Sequence, residues 1–433
     1  MPTENGSSIT RDEIYRNMHN RMGQVQNMTQ MGFSKRFDFP TEVIKEGDVN
    51  AVVPKLEAYA KEPWEYAPSK APVFYNPVME LNRDLAVLAL QAYQKIQEKR
   101  LVVCEPLAGC GIRGLRFAVE VKGVQKVVLN DINHEAAKLA QFNSEFNKLT
   151  KRVFVMNEDA NFLLSRYAAP RKRFHFIDVD PFGTPVLYLD SALRALRDGG
   201  LLALTATDMA PLCGVHPNAC IRKYGGRPLR TEYCHELAIR LLIGCLVMMA
   251  AKHEIGIEVV FSHSTDHYIR AYATAHYGAR KADQSIQTMG YILHCFSCFH
   301  REILKGPVQH LKGECPECGA KLRAAGPLWT GNLSNIRFGS LMEKEITRRQ
   351  RKHQRKISKL LFLINNEHTG PSTYYVIDKI CDKLNLPVPS TTSVLSGLRE
   401  RGSKATLTHF NSRGIRTDAP ASVLTHLLFS LAK

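Results

Sequence analysis

From residue 101 onward, apolar runs alternate with helical patterns, and this alternation restricts the fold more than any other feature of the chain. LVVCEPL, KVVLND, VFVMN, FHFIDVD and LLALTAT read as strands, and IRGLRFAVEV, NHEAAKLAQFNSEF, ANFLLSRY and PVLYLDSALRAL as the helices between them. Strands linked by helical crossovers run parallel, so the spacing predicts βαβ units in a doubly wound, Rossmann-like α/β sheet. A long amphipathic helix is expected from about Thr231 to His253, then two strands, IEVVFSHS and HYIRAYATAHY, joined by a turn at Thr265-Asp266. That ending does not repeat the βαβ half that a dinucleotide-binding dehydrogenase would need.

Around this core the chain divides into further parts. Residues 1–40 are polar and basic and read as a flexible arm, and the sheet domain is expected over 41–289. Within it, EVIKEGDVNAVVPK has the pattern of a hairpin turning at Gly47-Asp48. Asn76 followed by Pro77 is an N-cap signal for a helix running to about Gln97. Four cysteines fall in 290–330, a zinc-ribbon insert. Residues 331–433 open with Arg348, Arg349, Arg351, Lys352, Arg355 and Lys356, continue as three short helical patterns and the strand-like ATLTHF, and end through the loop NSRGIRTDAP. That order suggests a smaller α+β, winged-helix-like domain.

The glycine-rich segment EPLAGCGIRGLRF lies between the first strand and its helix. Gly109, Gly111 and Gly114 fit G-x-G-x-x-G, where glycines let the backbone turn sharply and approach a ligand. Asp131 ends the second strand 22 residues after Gly109 and can accept both ribose hydroxyls of an adenosine. Loop and carboxylate alone leave NAD and S-adenosylmethionine equally open. Asp159, with Ala160, ends the third strand and suits either an adenine amino group or the cap of the next helix. Arg113, inside the loop, reads as a contact for a cofactor carboxylate or as a surface arginine.

FHFIDVDPFGTP carries the chemistry. Alternation puts Asp178 and Asp180 on one side of the strand, Pro181 stops the ladder, and ligands of open α/β sheets bind at this end. Asp-Pro-Phe-Gly matches the Asp/Asn-Pro-Pro-aromatic pattern of enzymes that methylate amines. An antiparallel pair closing a five-stranded parallel sheet is likewise the methyltransferase variant of the architecture. Asp180 and the Pro181 carbonyl would draw on the N–H of a conjugated amine, and Phe182 would stack on its ring. A helix-capping turn is the plainer reading of the same residues.

Cys295-x-x-Cys298 and Cys315-x-x-Cys318 are separated by 16 residues, the spacing of a closed, four-thiolate structural zinc site. The other seven of the eleven cysteines are scattered, as in a protein kept reduced in the cytoplasm. The run Leu241–Ala251 is shorter than the roughly 18 residues of a membrane span, so no membrane is expected, and a monomer is. Lys and Arg outnumber Asp and Glu by 58 to 41, a net charge of +17 that favours a polyanionic partner.

VFYNPVMELNRD, DVDPFG, TATDMAPLCGVHPNACIRKYG and GIRTDAP, in this order, resemble the tRNA (guanine-N2)-dimethyltransferase family over about Glu42 to the C-terminus. The resemblance implies a class I fold, S-adenosylmethionine as methyl donor, tRNA as partner and the guanosine at tRNA position 26 as target. It implies cofactor contacts at Arg83, Arg113, Asp131, Asp159 and Ala160, and Phe74 partnering Phe182 around the base. A nicotinamide-dependent oxidoreductase and a non-catalytic nucleic-acid-binding protein are the competing classes. The first leaves DPFG unused, and the second leaves the glycine loop unused.

Overall fold

The computed structural model describes residues 36–60, 62, 68–306, 311–348 and 352–432. Most of the arm expected over 1–40 therefore lies outside the described residues, as do Arg349 and Arg351 of the basic segment. Where description begins, Phe37 and Phe39 are buried, Phe37 edge-on to Phe142 at 5.6 Å. The chain is thus already packed before residue 40.

The hairpin forms as read. Strands β1 (Thr41–Glu46) and β2 (Val49–Pro54) pair antiparallel, and Glu46 faces Val49 across Gly47-Asp48. Asn76 accepts the Val78 N–H, a 3-10 turn follows at Pro77, and helix α1 (Glu80–Gln97) ends where the sequence indicated.

Then come β3 (Leu101–Glu105), α2 (Ile112–Glu120), β4 (Val124–Asn130), α3 (His134–Phe146), β5 (Val153–Met156), α4 (Ala160–Arg166), β6 (Phe174–Val179), α5 (Leu189–Ala195) and β7 (Leu196–Ala206). An excursion over 207–233 carries α6 (Pro217–Tyr224), and α7 (Cys234–Ala251), β8 (Ile255–Thr265) and β9 (Tyr268–Tyr277) complete the unit. The seven strands lie in the order β5-β4-β3-β6-β7-β9-β8, and β9 alone runs opposite to the other six. This is the expected closed-off parallel sheet, with one set of crossovers on each face.

Helix α7 is the buried helix that its apolar run Leu241–Ala251 indicates, but it is not amphipathic. It is apolar around most of its circumference and, by length and composition, long enough to cross a membrane, yet it packs within the largest hydrophobic cluster, against the sheet and the segment after it. A helix buried over most of its length needs little polar face, which is why the amphipathic pattern expected for Thr231–His253 is absent.

Helix α8 (Ala279–Gln287) leads to a second sheet, β11 (Arg301–Lys305), β10 (Met289–His294) and β12 (Arg323–Trp329), in that spatial order. Its turns carry the four paired cysteines. Helices α9 (Ile336–Ile346) and α10 (Gln354–Glu367) fall within the stretch read as a C-terminal domain. Their apolar residues Phe338, Met342, Ile357, Leu361 and Ile364 instead join a cluster with α1 and the first strands. Packing therefore divides nearer Tyr375 than residue 331. The last unit has β13 (Tyr375–Val376), α11 (Ile377–Leu384), α12 (Thr391–Glu400), β14 (Ala405–Leu407), β15 (Gly414–Thr417) and α13 (Ala421–Leu431), with strand order β13-β15-β14. With α10 ahead of it, the order is helix, strand, two helices, two strands and a last helix. The segment read as the loop NSRGIRTDAP contains β15, whose four residues are buried. A strand of four residues between two turns is too short to show alternation.

The last unit is joined to the seven-stranded unit by buried charge. Glu236 of α7 receives Arg240 one turn on and, from β15, Arg416, whose guanidinium also meets Glu367. Burial opposes the charge of Glu236, but Arg416 and Arg240 outweigh it and hold its carboxyl at about 2.

Candidate active site

The glycine loop forms a cradle. Gly109 and Gly111 have φ of +53° and +77°, a region that side chains disfavour. A Cβ on Gly109 would lie 3.1 Å from the Phe74 carbonyl, and one on Gly114 only 2.2 Å from Leu129 Cδ2. The first keeps the cradle open and the last brings α2 down on the sheet. Asp131 stands at its edge, one oxygen accepting the Gly109 N–H at 2.8 Å and the other the Asn133 N–H at 2.9 Å. Each oxygen keeps a lone pair for a hydroxyl, and the residue is half-exposed.

Asp159 is exposed and caps α4 by accepting the Phe162 N–H at 3.0 Å, while Ala160 is buried behind it. The capping role is thus present, and one carboxylate oxygen remains for a ligand. Tyr188, which the sequence reading overlooked, shares this corner. Burial, and then the charges of Asp159 and Asp131, raise its hydroxyl. An open glycine cradle, a ribose-type carboxylate and a second carboxylate at the next strand end fit an adenosine-bearing cofactor such as S-adenosylmethionine.

Under the cradle lies a buried charge cluster. Arg113 does not project from the loop as a free contact. It runs inward, donates to Asp178 Oδ1 at 2.9 Å and to Asp180 Oδ2, and approaches Glu105 at 3.4 Å. Arg270 of β9 donates to the other Asp178 oxygen and to Thr205, and to the Tyr272 hydroxyl at 2.7 Å. Asp178 has no solvent exposure and Asp180 has 16 %. Asp178, grouped with the catalytic residues on sequence, is therefore sealed away from any substrate, and Asp180 alone reaches the mouth. Burial would raise the carboxyl of Asp180, but Arg113 and Arg270 prevail and lower it, leaving an anion that only accepts hydrogen bonds. Burial, eased by Arg113 and reinforced by Asp178 and Asp180, pushes Glu105 up to about 8, so it is neutral at pH 7. Two guanidiniums then balance two carboxylates.

Arg83 is likewise enclosed. It makes a paired contact with Glu46, with Nε–Oε1 at 2.7 Å and Nη2–Oε2 at 2.6 Å, and donates to the Asn76 carbonyl. It belongs to the wall behind the glycine loop.

The Asp-Pro-Phe-Gly turn is fixed from β7. Gly183 donates to Thr207 Oγ1 at 2.8 Å, and the Thr207 N–H returns to the Gly183 carbonyl at 2.9 Å. Pro181 is half-buried and Phe182 is 72 % exposed. Phe74 and Phe182 meet, as the resemblance implied, but directly: their centroids are 4.6 Å apart, at 82°. Edge-to-face at that distance leaves no slot for a base between them. Thr207 and Arg270 were missed because the one lies past a strand end and the other sits among apolar residues of an edge pair; no local signal marks either.

The cysteine pairs converge. Cys295 and Cys318 sulfurs are 3.5 Å apart, as are those of Cys298 and Cys315. A zinc ion bound at about 2.3 Å in a tetrahedron requires sulfur separations near that. Both knuckles repeat one backbone pattern: Phe299 N–H to the Cys295 carbonyl and Gly319 N–H to that of Cys315.

The model of the family described as N2,N2-dimethylguanosine tRNA methyltransferase matches residues 47–429. The chain is 39% identical over 395 residues to a tRNA (guanine(26)-N(2))-dimethyltransferase of Methanobrevibacter smithii, covering 91% of this chain and 99% of that protein. A protein of the same name from Methanothermobacter thermautotrophicus is 40% identical, covering 90% and 98%. Among solved structures, Trm1 of Pyrococcus horikoshii in complex with S-adenosyl-L-methionine superposes with a TM-score of 0.78 at 36% identity, covering 89% of this chain and 99% of that one. On sequence and on structure alike, the chain belongs to the N2,N2-dimethylguanosine tRNA methyltransferase family.

Proposed function

We propose that this protein transfers one or two methyl groups from S-adenosylmethionine to the exocyclic N2 amine of guanosine 26 in tRNA. The observation that carries the reading is the anionic Asp180, held at the sheet's open edge by Arg113 beside the glycine cradle. Bound there, the cofactor supplies an electrophilic methyl group. Asp131, Asp159 and the backbone around Ala160 would hold its adenosine, and Gly109 and Gly111 leave room for it. Arg83 and Arg113, each already paired with carboxylates, would shape the wall behind the loop rather than hold the cofactor's carboxylate end.

The N2 lone pair of guanine is delocalised into the ring, so the protein must localise it. Asp180 would accept one N–H and the Pro181 carbonyl another, turning the lone pair toward the cofactor. Positioning of this kind supplies about 7–11 kcal/mol where alignment is good. After transfer, the nitrogen is a strong acid, and even a carboxylate of lowered basicity takes its proton. Phe182, exposed at the mouth, would stack on the extruded base, for about 1–3 kcal/mol; Phe74 must swing off its ring to allow it. The four-cysteine site fits a structural zinc, because four thiolates leave no position for water.

Unmodified tRNA incubated with methyl-labelled cofactor, then digested and mapped by mass spectrometry, tests the assignment. Methylated guanosine at position 26, absent when that base is adenosine, is expected. Labelling that ignores the substitution, or none at all, would overturn it.

A further inference from the structure

Three metal-binding donors converge at a place the proposed reaction does not use. Cys213 ends the short helix Met209–Leu212, just past β7, and Cys234 and His235 open α7. Their two sulfurs and a ring nitrogen lie within 4.8 Å of one another. All three residues are half-buried, and neither cysteine is in a disulfide. The imidazole of His235 thus lies beside two thiols.

We propose that Cys213, Cys234 and His235 form a second zinc site. Two thiolates and a neutral imidazole are the donors Zn²⁺ prefers, whereas magnesium and calcium take oxygen. Binding releases both thiol protons to solvent, and water fills the fourth position. The separations need only a small closure to reach bonding distance, and the donors sit on two segments joined by the 207–233 excursion.

The site gives that excursion a staple. Its first residues include Thr207, which pins the Asp-Pro-Phe-Gly turn, and Asp208, which accepts from the Tyr224 hydroxyl at 2.5 Å and from Lys223 at 3.0 Å. Its far end leads into Glu236, the carboxylate of the charged junction with the C-terminal unit. One ion would therefore tie the catalytic turn's anchor to that junction.

Zinc content of full-length protein, purified under reducing conditions without chelator, decides the matter. Two ions per chain are expected, falling to one in Cys213→Ala and, separately, to one in Cys315→Ser. A single ion in the wild type, or two in Cys213→Ala, overturns the second site. Should Cys213→Ala not fold, native alkylation of the wild type with peptide mapping answers instead. Cys213 and Cys234 should resist the reagent until a chelator is added. Immediate alkylation of both, or their recovery as a disulfide, overturns the proposal equally.

Discussion

Arg270 donates to the oxygen of Asp178 that Arg113 leaves open, and neither Arg270 nor Asp178 touches solvent. A charged side chain on the antiparallel strand β9 thereby reaches, through one carboxylate and one guanidinium, the residue at the mouth of the site. Arg270 is a positioning residue: it touches neither base nor cofactor, but its charge helps keep Asp180 ionised.

Arg270→Leu should therefore do more than lower the rate. Losing its charge lets the carboxyl of Asp180 rise, so the acid limb of the kcat–pH profile should move to higher pH. A smaller kcat with an unmoved limb would reduce Arg270 to a packing role.

Asp180→Asn preserves size but replaces the acceptor by an amide. We expect kcat to fall about 10²–10⁴-fold, the range for a lost catalytic acid or base, with S-adenosylmethionine affinity nearly unchanged. Calorimetry and single-turnover transfer check the two halves; wild-type turnover would remove Asp180 from the chemistry.

Asp131→Ala acts on the opposite side of the loop. Losing charge-assisted hydrogen bonds to the ribose should weaken cofactor binding by about 1.5–3 kcal/mol. The Gly109 N–H would lose its partner too. An unaltered cofactor Kd in titration calorimetry would exclude Asp131 from the pocket.

Glu105 makes a stability prediction. Its folded pKa of about 8 lies above the ordinary value of 4.5, so the native state holds a proton the unfolded chain releases. Stability from this group is complete below about 4.5 and is lost as pH rises to about 8, with a slope of up to about 1.4 kcal/mol per pH unit. Chemical denaturation of Glu105→Gln across pH 5–8 should show a flatter profile than the wild type. Parallel profiles would mean that Glu105 is ionised in the fold.

The basic segment near residue 348 tests tRNA binding. Lys352 pairs with Glu80 at 2.9 Å and Arg348 with Glu345 at 3.0 Å, but both are mostly exposed, and such pairs contribute little. Replacing Arg348, Arg349, Arg351 and Lys352 by alanine should raise KM for tRNA and flatten its salt dependence by up to about 0.7–0.9 log unit per lost phosphate contact. A wild-type salt slope would assign the tRNA grip to other surfaces.

The sheet was legible because its strands are continuous apolar runs bounded by glycine, proline or aspartate, and the glycine loop because close approach admits no other residue. What escaped was direction. Arg113 sits in the loop's sequence, but its side chain follows Asp178 and Asp180, 65 and 67 residues away, and ends under the sheet. The resemblance implied Phe74 and Phe182 around a base; that their rings touch each other depends on packing no motif encodes. Helix α9 likewise carries an amphipathic pattern but no statement of which surface receives it.

The junction of Glu236 with Arg416 limits what evolution can do with this chain. Glu236 is wholly enclosed, and part of what neutralises it arrives from β15, 180 residues later. A shortened gene that lost β15 would leave that carboxylate short of a partner in a dry interior, a loss that for broken buried pairs runs to about 3–5 kcal/mol. Most proteins have only about 5–15 kcal/mol in hand. The two halves are thus inherited together: neither can be shed, swapped or borrowed by another protein without first rewriting the contact between them.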